Sequence, residues 1–168
     1  MLNANDFPST KVHADIVNEQ SKDPYTNSPF KSLKDLSSKK KGKYFEYIYQ
    51  EYMESKGCVV CKPLNTDHDR VVDGRKKEIK GSVLWGDGTH FRWQQIRTDQ
   101  DYDDVVFLAF YPDRLEIYEA DKETASSVLE VQDEKGNWIH NQHGGKRVNS
   151  GAFFLDGFPS NFAWMNEV

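Results

Sequence analysis

Eight residues separate Asp69 from the triplet Glu78-Ile79-Lys80, and an Asp73-Gly74 pair sits between them. Asp-Gly flanked by strand-like runs, here Val71-Val72 and the segment through Ile79, is a strong hairpin signal. A hairpin folds the two halves together, so Asp69 and Glu78 approach one another. Side chains alternate along a strand, so Glu78 and Lys80 share one face and Ile79 takes the other. Two carboxylates and an ammonium in a small volume are costly unless a cation is bound or a pKa moves. A hard divalent metal removes the repulsion, because carboxylate and carbonyl oxygens suit Mg²⁺ or Mn²⁺. A lysine beside such a metal orients a water or helps to deprotonate it. Asp67 competes for the role of first acid; Asp69 is preferred because it opens the Val-rich strand.

The elements around the hairpin must position this chemistry. Upstream, Gly42 to Lys56 predicts a helix stopped by Gly57. Helical spacing places Phe45, Ile48, Tyr49, Tyr52 and Met53 on one stripe. At about 100° per residue Glu46 falls at the margin of that stripe, where an acid can point along the sheet toward a metal. Strands are expected near 58–62, 69–73, 76–85 and 91–96, with a turn at Gly86-Asp87-Gly88. In the fourth, Phe91, Trp93 and Gln95 alternate with Arg92, Gln94 and Ile96. Val105 to Tyr111 is a continuous apolar run, the mark of a central strand buried on both faces. Leu115 to Glu119 returns as a strand, and Asp121 caps a helix running to about Leu129, with Glu123 in its first turn. This order predicts an α/β (α+β) layer with a mixed central β-sheet flanked by helices.

The Asp69…Glu78-Ile79-Lys80 pattern resembles the PD-(D/E)xK nuclease superfamily, the fold of most type II restriction endonucleases. His68 stands where the family name has proline, at a position that varies. The resemblance implies that Asp69 and Glu78 bind metal with the Ile79 carbonyl as a third ligand. It also implies that Lys80 positions the attacking water. The superfamily often carries a glutamate on the preceding helix as a ligand or supporting group, which Glu46 matches within a loose Gly42-x-x-x-Glu46. Restriction-enzyme-like families also carry an aromatic-Gln-Ile run here; Gln95, or second Gln94, is then near enough to bond the Lys80 water or a phosphate. The cofactor expected is Mg²⁺, with Mn²⁺ as a substitute.

Composition bounds the reading. The chain has 168 residues, 37% hydrophobic and 13% aromatic, the size of one domain with a sizeable core. A net charge of −5, from 22 basic and 27 acidic residues, argues against a nonspecific, charge-driven nucleic-acid binder but not against a site-specific one. Its bases cluster in Ser37 to Lys43 and in Arg75 to Lys77, each a solvated face or a phosphate contact. Cys58 and Cys61 lack the further ligands a zinc site needs and read as free thiols beside a strand, which fits a reducing cytoplasm. The N-terminus has no apolar core and no run reaches the roughly 18 apolar residues of a membrane span.

Residues 1–40 read as a polar arm with a short helix near Val12 to Gln20, and 41–168 as the nuclease core. Within the core, 138–150 is a glycine-, amide- and base-rich loop. Lys, Arg, Asn and Gln are the side chains that read purine edges, so Asn141, His143, Lys146, Arg147 and Asn149 are candidate DNA contacts, with Arg92 beside them. An HNH-type reading of His140 and His143 fails because Gly144-Gly145 breaks the helix it needs. A last strand is expected at Ala152 to Leu155, followed by an aromatic tail that closes the core or contacts a second copy.

The expectation is therefore a cytoplasmic, Mg²⁺-dependent endonuclease of the type II restriction class. It acts on double-stranded DNA, as a homodimer because cutting both strands takes two sites. The alternatives are a structure-specific repair or resolvase-type nuclease, and a non-catalytic DNA-binding module of the same fold.

Overall fold

The chain folds around one long strand that belongs to two layers. The computed structural model describes residues 11–85, 88–142 and 153–168. Helices α1 (Lys11–Ser21), α2 (Lys31–Lys34) and α3 (Ser38–Ser55) come first. Strands β1 (Val60–Cys61), β2 (Arg70–Val72), β3 (Arg75–Trp85), β4 (His90–Ile96), β5 (Asp104–Phe110) and β6 (Leu115–Asp121) follow. Helix α4 (Lys122–Leu129) and strands β7 (Phe153–Gly157) and β8 (Asn166–Glu167) complete the order.

The β2–β3 hairpin forms as its turn residues require. Asp73 and Gly74 both have positive φ, 48° and 83°, so the two-residue loop matches the twist of its strands. It sets Val72 opposite Arg75 and Arg70 opposite Lys77. Strand β5, buried at every position, lies at the centre of the sheet, parallel to β3 and antiparallel to β6. The result is a mixed α+β architecture, an eight-stranded and mostly antiparallel sheet flanked by helices.

Register separates the two faces. Glu78, Lys80 and Ser82 lie beside Val105, Phe107 and Ala109, and Ile79 and Val83 beside Val106 and Phe110. The second face packs on Phe45, Tyr49 and Met53 of α3, the stripe that helical spacing predicts. Tyr25 joins this core, fully buried, and donates its hydroxyl hydrogen to the Phe110 carbonyl. The polar composition of residues 1–40 gives no hint of that anchor. The first face is covered by Phe91, Trp93 and Ile96 of β4, by β7 and by α4. Asp121 caps α4 by accepting the Thr124 amide at 2.8 Å, as expected.

Strand β3 is paired unevenly. On one side β5 accompanies Lys77 to Val83 throughout. On the other, β2 pairs only Arg75 to Lys77 and β4 only Leu84 and Trp85. Among the described residues, Glu78 to Val83 therefore lack a strand partner on that side, and a cleft opens there. Gly81 lets α3 come close above it: an added Cβ would stand 2.4 Å from the Phe45 ring.

One local expectation is corrected. The alternation along β4 breaks: Gln95 is exposed with φ 56°, and Ile96 is buried with Phe91 and Trp93. The pairing with β7 shifts between Trp93 and Ile96, a β-bulge that adds one residue and restores the apolar face. The aromatic tail forms a 3-10 turn at Pro159–Asn161 and the short β8, with Phe158, Phe162 and Trp164 packed against the core. Among the described residues no helix is long and apolar enough to cross a membrane.

Candidate active site

The open stretch of β3 gathers the residues singled out from sequence. The Asp69 backbone amide donates to the Lys77 carbonyl at 2.9 Å, extending the hairpin by one residue. Its side chain then reaches further along the edge, and Oδ2 accepts the Ile79 amide at 2.7 Å. A residue's N–H and C=O point to the same side of a strand, so the Ile79 carbonyl also faces the cleft. Glu78 lies on the adjoining face, buried, with Lys80 Nζ 2.5 Å from Oε1.

Glu46 arrives from α3, but it does not stand alone. Arg70 Nη1 donates to Glu46 Oε2 at 2.8 Å and to the Asp69 carbonyl at 2.6 Å, while Nε donates to Gln50 Oε1 at 2.9 Å. Sequence reasoning missed Arg70. The available signal was an arginine inside an apolar β-run, which folding must bury and which therefore demands an acid.

Burial raises the Glu78 pKa, and Asp69 and Glu46 add to the rise while Lys80 opposes it. Burial likewise raises the pKa of Glu46, with Asp69 adding and Arg70 and Lys80 opposing. The four groups Glu46, Asp69, Glu78 and Lys80 thus share one electrostatic environment. Among the described residues, no three histidine, cysteine or acidic side chains are grouped closely enough to hold a metal ion. The donor set is smaller: two carboxylates, Asp69 and Glu78, with the Ile79 carbonyl. Mg²⁺ is commonly bound through one or two carboxylates while keeping several waters, so hard oxygen donors at a mutually repelling acid pair, of which Glu78 is buried and Asp69 partly exposed, fit it. The Glu46 carboxylate is engaged by Arg70 instead.

Beyond Lys80 the cleft widens into a groove of about 570 Å³. Its walls include Lys39 and Lys41 of α3, Lys80 and Trp85 of β3, and Arg92 and Gln95 of β4. The bulge that turns Gln95 into the groove is clamped by Gln142, which accepts the Gln95 amide at 3.0 Å and donates to the Gln94 side chain at 3.1 Å.

The candidate DNA contacts divide. Arg92 lines the groove but is held by both oxygens of Asp156 at 2.6 Å. Asn141 is buried and bridged to Phe153, which takes it off the surface. His143, Lys146, Arg147 and Asn149 lie outside the described residues. In the Arg75–Lys77 cluster only Lys77 is buried, between Asp104 and Glu119, while the exposed Arg75 pairs with Asp104 and Lys76 with Asp101. Cys58 and Cys61 are free, the first beside β1 and the second in it.

No protein-family model matches the chain, and no characterised protein matches it in sequence. Among solved structures it is similar to a bacterial homing endonuclease, I-Ssp6803I. The two are 23% identical, with a TM-score of 0.42, over 52% of this chain and 67% of the other. A likeness of that degree carries no conclusion about what this chain does.

Proposed function

We propose that this protein is a metal-dependent DNA endonuclease with a restriction-enzyme-type site. One observation carries the reading: Asp69, Glu78 and Lys80 converge on an open backbone edge, where Asp69 receives the Ile79 amide and Lys80 meets Glu78. Asp69, Glu78 and the Ile79 carbonyl are the groups to hold Mg²⁺, or Mn²⁺ in its place. A bound divalent ion there supplies a water of lowered pKa and offsets charge growing on the phosphate. Lys80, tethered by Glu78, holds the attacking water at the end of the groove. Arg70 keeps Glu46 and the Asp69 backbone in place, and Gln95 faces the groove from the opposite wall. Cleavage of both strands of a recognised duplex then calls for a two-fold pair of chains.

The test is Mg²⁺-dependent cutting of plasmid DNA by wild type, Lys80→Ala and Asp69→Asn. Each substitution should lower the rate by about 10²–10³-fold, the usual cost of losing one aligned group. Undiminished metal-dependent cutting by both variants sinks the assignment. Discrete fragments mark sequence specificity, whereas preference for flaps or junctions marks a structure-reading nuclease.

A further inference from the structure

The groove beside Lys80 differs in charge from the rest of the molecule. The chain carries −5 overall, yet among the described residues no Asp or Glu lines the groove, while Lys39, Lys41, Lys80 and Arg92 do. Lys39 makes no ion pair among the described residues, and Lys41 donates only to the Lys34 carbonyl, at 3.1 Å. These two ammonium groups are available to phosphate. Arg92 serves differently. Asp156 grips it in a two-pronged pair, and its guanidinium lies 5.2 Å from the Trp85 ring and 5.3 Å from Phe154. Trp85 is thereby backed by a fixed cation while the residue remains 44% exposed. Tryptophan is normally buried or nearly so, and an exposed one braced at the wall of a basic groove is a stacking platform.

We infer that the groove holds a single DNA strand beside the scissile phosphate, with one unpaired base stacked on Trp85 and the backbone phosphates on Lys39 and Lys41. This rests on the endonuclease reading and sharpens its substrate. The groove, at about 570 Å³, has the size of a pocket for one compact ligand, not the breadth of a duplex. A base in a duplex is already stacked on its neighbours, so it reaches Trp85 only when unpaired or swung out of the helix. DNA that is single-stranded, frayed or mismatched at the cutting point pays less for that displacement and binds more tightly.

The test measures binding by the full chain without metal, in a chelating buffer, by fluorescence anisotropy. The probes are a labelled oligothymidylate, its abasic counterpart of equal length, and a hairpin-closed duplex. The oligothymidylate should bind about ten-fold more tightly than the abasic strand, the usual worth of one stacked base, and more tightly than the duplex. Trp85→Ala should erase the preference over the abasic strand, and Trp85→Phe should restore most of it. Lys39→Ala should weaken both strands alike and lower the slope of log affinity against log salt by about 0.7. Equal binding of the base-bearing and abasic strands, or a preference that survives Trp85→Ala, overturns the proposal. The two readings fail separately. Base-dependent binding without cutting in any divalent metal removes the nuclease and leaves the groove. Metal-dependent cutting by an enzyme indifferent to bases at Trp85 removes the groove assignment and leaves the nuclease.

Discussion

Asp104 and Lys77 form the most enclosed ion pair of the described residues, each side chain 6% exposed and 2.8 Å apart. Arg75 and Glu119 extend the pair to four charges. Burial pushes the Asp104 carboxyl up, but hydrogen bonds from Arg75 and Lys77 outweigh it, and the net shift is downward. An acid whose pKa is lower folded than unfolded adds stability above its unfolded value, near 4, and loses it as pH falls through its folded value. Thermal unfolding should therefore show wild type losing stability below about pH 4. Asp104→Asn should cost about 3 kcal/mol at pH 7, because it leaves Lys77 buried with Glu119 alone. The gap between the two proteins should close as pH falls toward 3. A gap of the same size at pH 3 and pH 7 would count against the pair as its source.

At the scale of elements, the close approach of α3 to β3 sets where Glu46 and Arg70 meet Asp69. Gly81→Ala drives a methyl into the Phe45 ring, and overpacking of this kind costs about 1–3 kcal/mol. It should also slow plasmid cutting, since α3 must lift away from the site; denaturant unfolding and a cleavage rate measure the two effects. Gln95→Val places a β-branched residue at φ 56° and should cost about 1–2 kcal/mol in the same unfolding assay. Gln95 also marks where the sequence stopped being legible. The Asp73-Gly74 turn, the apolar run of β5, the α3 stripe and the Asp121 cap are encoded locally, by turn chemistry, spacing and composition, and all could be read. The Gln95 bulge could not, because the extra residue is forced by distant partners: Gln142 takes the Gln95 amide, and β7 needs Ile96 opposite Phe153. Arg70 escaped for a similar reason. Its partners Glu46 and Gln50 lie 24 and 20 residues away, and only the packing of α3 on the hairpin unites them.

For the molecule as a whole, the two cores depend unequally on the N-terminal segment. Helix α1 leaves Val12, Ile16 and Val17 exposed, whereas Tyr25 is sealed in the core, its oxygen also accepting the Leu84 amide at 2.9 Å. Val12→Ala on that exposed helix should change stability by no more than about 0.5 kcal/mol, while Tyr25→Phe, which strands a buried amide and a carbonyl, should cost about 1–3 kcal/mol. Calorimetric unfolding of both proteins checks the contrast. The half-paired β3 has a further consequence. A bare strand edge is a template for joining another chain, and here it runs along the sheet's longest strand. The Asp69 carboxylate occupies the Ile79 amide, and a charge held inward on an edge is a device that repels such joining. The acid proposed to serve hydrolysis thus also guards solubility. Its truncation to alanine should promote concentration-dependent clumping, visible by sedimentation, and the loss of cutting would then mix two failures. Asparagine keeps the acceptor on the edge and separates them.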